Sequence, residues 1–343
     1  MINTANLFAK KSWKVTIIIL DENDELYYSL DKNVSVQNLP LHLGITTKGN
    51  AVTRKWQWWK QTRTLAKKLR EINPTHIICT EYHFAIAAVM GGVNKFAKVY
   101  SWEHHHFGAT TRNRFWKFLF NRYYPKLDAV ICLNADEASL FKSTNQNTVV
   151  IPNFVEDVPV SSTSSKKNFQ LLSVTRFNFI KGIDLLMEVA RLILPSHPGI
   201  KWKVIGYGEK ENEFIDFIKR EKLQQQLLFQ SANKKDINTE YQDAELLVMT
   251  SRNECFPLVL LEAMKNGLPA IAFDCETGPR HIIQQNKTGE LVPAENLIAL
   301  ATKILALLED PARLEMMRNN SLEHSNDYNA ESIFVKWKTL VES

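Results

Sequence analysis

The chain has 343 residues, 45% of them hydrophobic and 23% charged, with a formal net charge of +5. That length points to two domains, since a single hydrophobic core stops growing at roughly 250–300 residues. No run of about 18 apolar residues occurs, which excludes a membrane-crossing helix, and the amino-terminal stretch MINTANLFAKKSWKVTIII reads as helix then strand, not as a secretory leader.

In chain order, a helix is expected over 2–10 and an apolar strand, VTIIIL, over 15–20. A long basic helix follows over 53–72, then Pro74 and a strand over 75–80. A short helix (85–93), a strand (97–102), a helix (112–123), a strand (128–133), a helix (135–142) and a strand (148–152) complete the first half. The stretch VPVSSTSSKKN at 158–168 has no apolar period and reads as a linker.

The second half alternates again. Strands are expected over 169–174, 201–206, 227–230, 245–250, 269–274 and 289–292. Helices fall at 182–194, 209–221, 294–308 and 311–320, with one more within 326–343. Strands alternating with helices imply parallel sheets covered on both faces. The expected fold class is therefore α/β, two doubly wound Rossmann-like domains: 1–157, and 169–325 after the linker, with 326–343 packing back on the first. Between two such domains a cleft is expected, and ligands bind beyond the carboxyl ends of the strands.

Charge divides the halves: residues 1–155 hold 20 Lys and Arg against 11 Asp and Glu, while the remainder holds 22 against 26. The halves should therefore meet different partners. The four cysteines, Cys79, Cys132, Cys255 and Cys275, are scattered without a C-x-x-C pair. A reducing cytoplasm suits them.

Two clusters carry the chemistry. In SRNECFPLVLLEAMKNGLPAIAFD (251–274), Pro257 is expected in the first turn of a helix and Gly267 just past its end. Glu254 then precedes the helix and Glu262 lies inside it. The amides of Phe256 and Leu258 at the helix start favour an anion, and the two carboxylates can accept hydroxyl hydrogen bonds. The competing reading is an acidic residue serving the helix dipole beside an ordinary surface glutamate. In SVTRFNFIKG (173–182), Arg176 and Lys181 bracket a strand-to-helix turn. A planar fork and a point charge there suit a diphosphate; two solvated loop charges are the alternative.

Taken together, TRFNFIKGIDLLMEVA, VIGYGE, the paired glutamates, GLPAIAFD, TGPRHII and the IPNFVE approach at 151–156 resemble the retaining nucleotide-sugar glycosyltransferases of family 4, with the two-domain GT-B fold. The FDCETGPR variant resembles bacterial enzymes that build capsule, exopolysaccharide, lipopolysaccharide or lipid-linked oligosaccharide chains.

The resemblance implies roles. Arg176 and Lys181 would neutralise the diphosphate leaving group, and Glu254 would hold hydroxyls of the transferred sugar. The Phe256 and Leu258 amides would lie near the phosphates, and Glu262 would bind the ribose diol. Apart from the resemblance, Gly206-Tyr207-Gly208 at a strand end reads either as a close approach of the nucleotide to the backbone or as a plain strand-to-helix turn. His104, in SWEHHHFG (101–108), would face the reacting sugar, with Glu103 orienting it or capping a turn. The donor would be a nucleotide-sugar, with a UDP-sugar expected, and no metal would be needed. Pro257 replaces the glycine usual before this helix, removing one backbone donor. The family's first strand and glycine-rich loop have no counterpart before 2–10, so the first sheet is expected to lack a strand.

Three consecutive histidines and the acidic DENDE (21–25) invite a metal reading, but the histidines lack partners at ligand spacing and DENDE reads as a solvated turn. RKWQWWKQTRTLAKKLR (54–70) and RNRFWKFLFNRYYPK (112–126) mix basic and aromatic residues without a nucleic-acid module. Trp56, Trp58 and Trp59 cannot all face one core. Trp56, Trp59, Arg112 and Arg114 are therefore expected on the acceptor and membrane side, with peripheral contact at the anionic inner face of the cell membrane; a purely solvated face is the alternative. Two rival readings use the same fold: a nucleotide-sugar epimerase or phosphorylase, and a non-catalytic transferase-like subunit.

Overall fold

The computed structural model describes residues 1–20, 29–43, 51–108, 112–156, 168–232 and 237–343. DENDE and most of the expected linker lie outside the described residues. The chain divides into two compact units, one of Met1–Pro152 with Ile333–Ser343, the other of Asn153–Ser332.

The first unit opens with α1 (Ile2–Lys10), β1 (Val15–Ile19), β2 (Val34–Asn38) and α2 (Ala51–Ile72). It continues with β3 (His76–Cys79), α3 (Tyr82–Met90), β4 (Lys98–Glu103), α4 (Arg114–Tyr123), β5 (Ala129–Cys132), α5 (Ala135–Phe141) and β6 (Thr148–Val150). β2 was not expected from the sequence. Its strands form two parallel sheets: β1 pairs with β2, and β3, β4, β5 and β6 lie side by side in that order. Ala85, Ile86 and Val89 of α3, Leu119 and Phe120 of α4, and Val99, Val130 and Cys132 of the strands share one apolar core.

The second unit contains β7 (Phe169–Arg176), α6 (Ile183–Ile193), β8 (Trp202–Tyr207), α7 (Glu211–Arg220), β9 (Leu227–Ser231), α8 (Asn238–Gln242) and β10 (Ala244–Met249). It ends with α9 (Leu258–Lys265), β11 (Ala270–Asp274), β12 (Gly289–Pro293), α10 (Leu297–Leu308), α11 (Pro311–His324) and the start of α12 (Ala330–Glu342). Six parallel strands run in the order β12-β11-β10-β7-β8-β9. From β7 the chain winds outward one way through β8 and β9, then returns beside β7 with β10 and winds the other way. The β7/β10 junction is thus the topological switch point, where doubly wound sheets open a crevice at the carboxyl ends of their strands.

That junction is held firmly. α6 buries Ile183, Leu186, Val189, Ala190 and Ile193 at helical spacing against the sheet. Beneath the crevice, the buried Trp202 indole donates to Ser173 Oγ at 3.1 Å, and Ser173 Oγ donates to the Val248 carbonyl at 2.7 Å. One polar chain therefore joins β8, β7 and β10, and each buried donor is satisfied.

The unit boundary at Pro152–Asn153 precedes the expected linker, and Asn168 at that linker's far end already belongs to the second unit, donating to Asp243 at 2.7 Å. From Ile333 onward α12 groups with the first unit, where Trp337 meets Phe8 and Trp102 with ring centroids 5.4 and 5.1 Å apart.

Candidate active site

Two loops leave the carboxyl ends of β7 and β10 and are stitched together beside the switch point. Gly182 closes the first loop at φ +64°, and a Cβ there would lie 2.0 Å from the Thr250 carbonyl oxygen. Only glycine permits both the left-handed backbone and that approach. Thr250 Oγ1 donates back to the Gly182 carbonyl at 2.9 Å, and the Arg252 amide donates to the Ile180 carbonyl at 2.8 Å. The Arg252 guanidinium grips Asp184 in the first turn of α6 through two bonds of 2.8 and 2.7 Å and lies over the Phe179 ring. These charge-assisted bonds hold the Asp184 carboxyl below its usual range.

Stitching the loops brings Lys181 to Glu254, with Nζ 2.7 Å from Oε1. Ser251 Oγ donates to the same oxygen at 2.8 Å. The Glu254 backbone is pinned by Thr277 Oγ1, which donates to its carbonyl at 2.7 Å, and by Gly278, whose absent Cβ leaves room for it. The cation and carboxylate singled out in the sequence, 73 residues apart, thus form one ion pair at the sheet's switch point. Arg176 ends β7, exposed, with its guanidinium 5.9 Å from the Tyr207 ring.

α9 begins at Leu258, with Pro257 as its N-cap and not within the first turn as expected; Gly267 follows the helix at φ +63°. Pro257 supplies no capping side chain, so the helix start is not closed by one. Phe256 is buried, its ring 5.8 Å from Tyr328, so only its backbone faces the helix start. Glu262, one turn further on, accepts a hydrogen bond from the buried Tyr241 hydroxyl at 2.6 Å. Burial pushes its carboxyl above the usual range, against the pull of that bond. The Tyr241 bond was not expected from the sequence; no local spacing links the two residues.

Gly206 answers to its own sheet: a Cβ there would lie 2.0 Å from the Thr175 carbonyl oxygen and 2.7 Å from the Phe177 ring. Its smallness is therefore accounted for by packing.

In the first unit the three histidines part ways. His104 stands against Trp102, with Nε2 buried. His105 is 69% exposed and lies 3.6 Å from Glu81. His106 is buried, Nδ1 2.6 Å from Glu137 Oε1. Glu103 corrects the expectation placed on it. It is only 7% exposed, accepts from Ser101 Oγ at 2.5 Å and from the Tyr124 hydroxyl, and neither orients His104 nor caps a turn. Burial raises its carboxyl above the usual range. Of the tryptophans, Trp58 is buried and donates to the Leu43 carbonyl at 2.7 Å, while Trp56 and Trp59 face outward, 60% and 42% exposed. Arg114 begins α4 and is exposed, and Arg112 lies partly buried just before it.

Residues 155–324 match the family model of the glycosyl transferases group 1. The matched segment is a glycosyl transferases group 1 domain, and the chain is a transferase. The transferase is 25% identical to an uncharacterized glycosyltransferase of Haemophilus influenzae, an alignment covering 99% of this chain and 94% of that one. It is 24% identical to an N-acetyl-D-galactosaminyltransferase of Campylobacter jejuni that acts on an undecaprenol-diphosphate-linked GalNAc glycan, over 99% of this chain and 93% of that one. Among solved structures, Staphylococcus aureus TarM, crystallised with Fondaparinux, alpha-GlcNAc-glycerol and UDP, superposes at a TM-score of 0.71 with 24% identity, covering 82% of the transferase. The transferase spans 59% of that TarM chain. Its fold is GT-B.

Proposed function

We propose that the transferase is a retaining enzyme of glycosyltransferase family 4 that moves a sugar from a UDP-sugar to a hydroxyl of a lipid-linked or surface polysaccharide acceptor. The observation that carries the reading is the Lys181–Glu254 pair, 2.7 Å apart at the switch point of a parallel sheet. A cation and a carboxylate there match a donor with an anionic diphosphate and a hydroxyl-rich sugar. Each group holds the other in place until the donor supplies both partners. UDP in the TarM crystal and the lipid-linked glycan named for the Campylobacter relative favour this donor and this acceptor class.

In the proposed step the bond between the anomeric carbon and the diphosphate oxygen breaks. The acceptor oxygen bonds to that carbon on the same face, and its proton passes to the departing phosphate. Arg176 and Lys181 stabilise the charge gathering on the leaving group, where fixed cations contribute most. The open start of α9 faces its phosphates, Glu254 holds the transferred sugar, and Glu262 takes a ribose hydroxyl. No metal takes part in this reading. The basic, aromatic helices of the first unit would hold the enzyme peripherally at the inner face of the cell membrane.

Titration with UDP by calorimetry, alongside donor turnover on membrane-extracted acceptor, tests the assignment. Glu262→Ala is expected to weaken UDP binding by about 1.5–3 kcal/mol. Glu254→Ala is expected to leave UDP affinity nearly unchanged and to lower turnover. Equal loss of UDP affinity in both variants would sink it. Product with inverted anomeric configuration by NMR would refute retention, and NDP release that needs no acceptor would favour epimerisation.

A further inference from the structure

The first unit holds a cavity of about 580 Å³ between the segment after β4, α4 and the turn after α5. Among the described residues its charged walls are Arg112 and Lys117, with no carboxylate beside them. Asn121, Ser143 and Thr144 add neutral polar groups, and Phe107 and Pro125 add apolar surface. The volume accommodates a ligand of one or two sugar rings.

Arg112 carries an unused donor, although the buried Glu103 carboxylate already feels its charge. Its guanidinium lies 4.0 Å from the Phe120 ring centre and about equally far from Tyr82 and Phe107, at 5.0 and 5.1 Å. These three rings surround the guanidinium. Its Nε is buried and makes no hydrogen bond among the described residues. A desolvated donor on a permanent cation is costly unless an anion meets it, and a planar fork suits a carboxylate or phosphate group. Lys117, exposed on α4, supplies a second positive charge to the same space. Ser143 Oγ already donates to the Leu140 carbonyl at 2.9 Å, so its oxygen is left as an acceptor for a ligand hydroxyl. Phe107 and Pro125 suit the C–H face of a sugar ring.

We infer that this pocket binds an acidic saccharide unit, a sugar carrying a carboxylate or a phosphate, presented by the acceptor glycan. The inference rests on the transferase reading only for the source of the ligand; the pocket lies wholly in the first unit.

The test titrates the full chain by calorimetry with glucuronate, glucose 6-phosphate, glucose and inorganic phosphate, and by sedimentation with phosphatidylglycerol vesicles. Glucuronate, glucose 6-phosphate or both should bind saturably, about tenfold tighter than glucose, and the stronger of the two identifies the anion. Lys117→Ala and Arg112→Gln should each weaken that binding by about tenfold while UDP affinity stays unchanged. Lys117 is exposed, so its variant keeps the fold even if Arg112→Gln disturbs it. Equal binding of glucose, absence of saturation at tens of millimolar, or full affinity in Lys117→Ala would each overturn the inference. So would anion capture confined to inorganic phosphate or to the vesicles. Acidic-sugar binding without sugar transfer would refute the transferase reading and leave the pocket standing.

Discussion

At His104 the imidazole is placed where charge is expensive. Burial pushes its pKa down to about 4, helped by the amino terminus and by His105. His83 is likewise lowered to about 4, again chiefly by burial. A ring neutral in the folded state and free to protonate in the unfolded state makes stability pH-dependent. Between the unfolded value near 6.5 and the folded value the unfolded chain binds more protons, so the contribution is fully present above that window and is lost as pH falls through it. For His104 the loss should be on the order of 1–3 kcal/mol. Urea unfolding at about pH 7 and about pH 4.5 checks this: His104→Gln, which cannot protonate, should lose that much less stability on acidification than the parent. Parallel losses would mean that the ring gains its proton without penalty.

At the scale of elements, β4 shows how a carboxylate that looks functional becomes part of a core. Ser101 and Glu103 alternate with Trp102 along the strand, so they share one face, and Tyr124 from the turn after α4 completes the cluster. Glu103→Ala would leave the buried Ser101 and Tyr124 hydroxyls with one acceptor fewer and only each other to bond, and is expected to cost about 2–4 kcal/mol in urea unfolding, with UDP affinity unchanged. A loss of UDP binding without loss of stability would return Glu103 to the functional site. The period-two spacing of Ser101 and Glu103 was visible in the sequence; Tyr124 was not, because its partner lies 21 residues away. Most of the α/β alternation was legible because parallel strands read as continuous apolar runs. β2, with the residues VSVQN and mostly open faces, carries no such run and emerges only through its pairing with β1. At the site, Arg176, Lys181, Glu254 and Glu262 could be picked out because they bracket helix starts. The bond from Tyr241 to Glu262 and the packing demand on Gly206 could not, since both arise from tertiary neighbours.

At the scale of the whole molecule, the positive charge of the chain collects in residues 1–155, and α2 and α4 concentrate it. The two helices, each packed on α3, meet through side chains, with the Trp58 ring centre 5.4 Å from that of Trp116. Trp58 anchors them inward, whereas Trp56, Trp59 and, on α4, Phe118 at 65% exposure turn outward among lysines and arginines. Arg63 lies 3.8 Å over the Trp59 ring, and Lys60 lies 5.7 Å from that of Trp56. An amphipathic ring beside a cation suits a headgroup region, where each basic residue adds roughly 1 kcal/mol of attraction to anionic lipid. Core packing explains only Trp58, so the proposed membrane contact separates the residues cleanly. Trp58→Ala should cost about 3–5 kcal/mol of stability. Trp56→Ala with Trp59→Ala should change stability by less than about 1 kcal/mol, as exposed positions do. That double variant should nevertheless sediment several-fold less with phosphatidylglycerol vesicles than the parent, and added salt should release the parent because the attraction is screened. Undiminished vesicle binding by the double variant, or binding indifferent to salt and to lipid charge, would leave the outward tryptophans as solvated surface and remove the membrane from the proposed function.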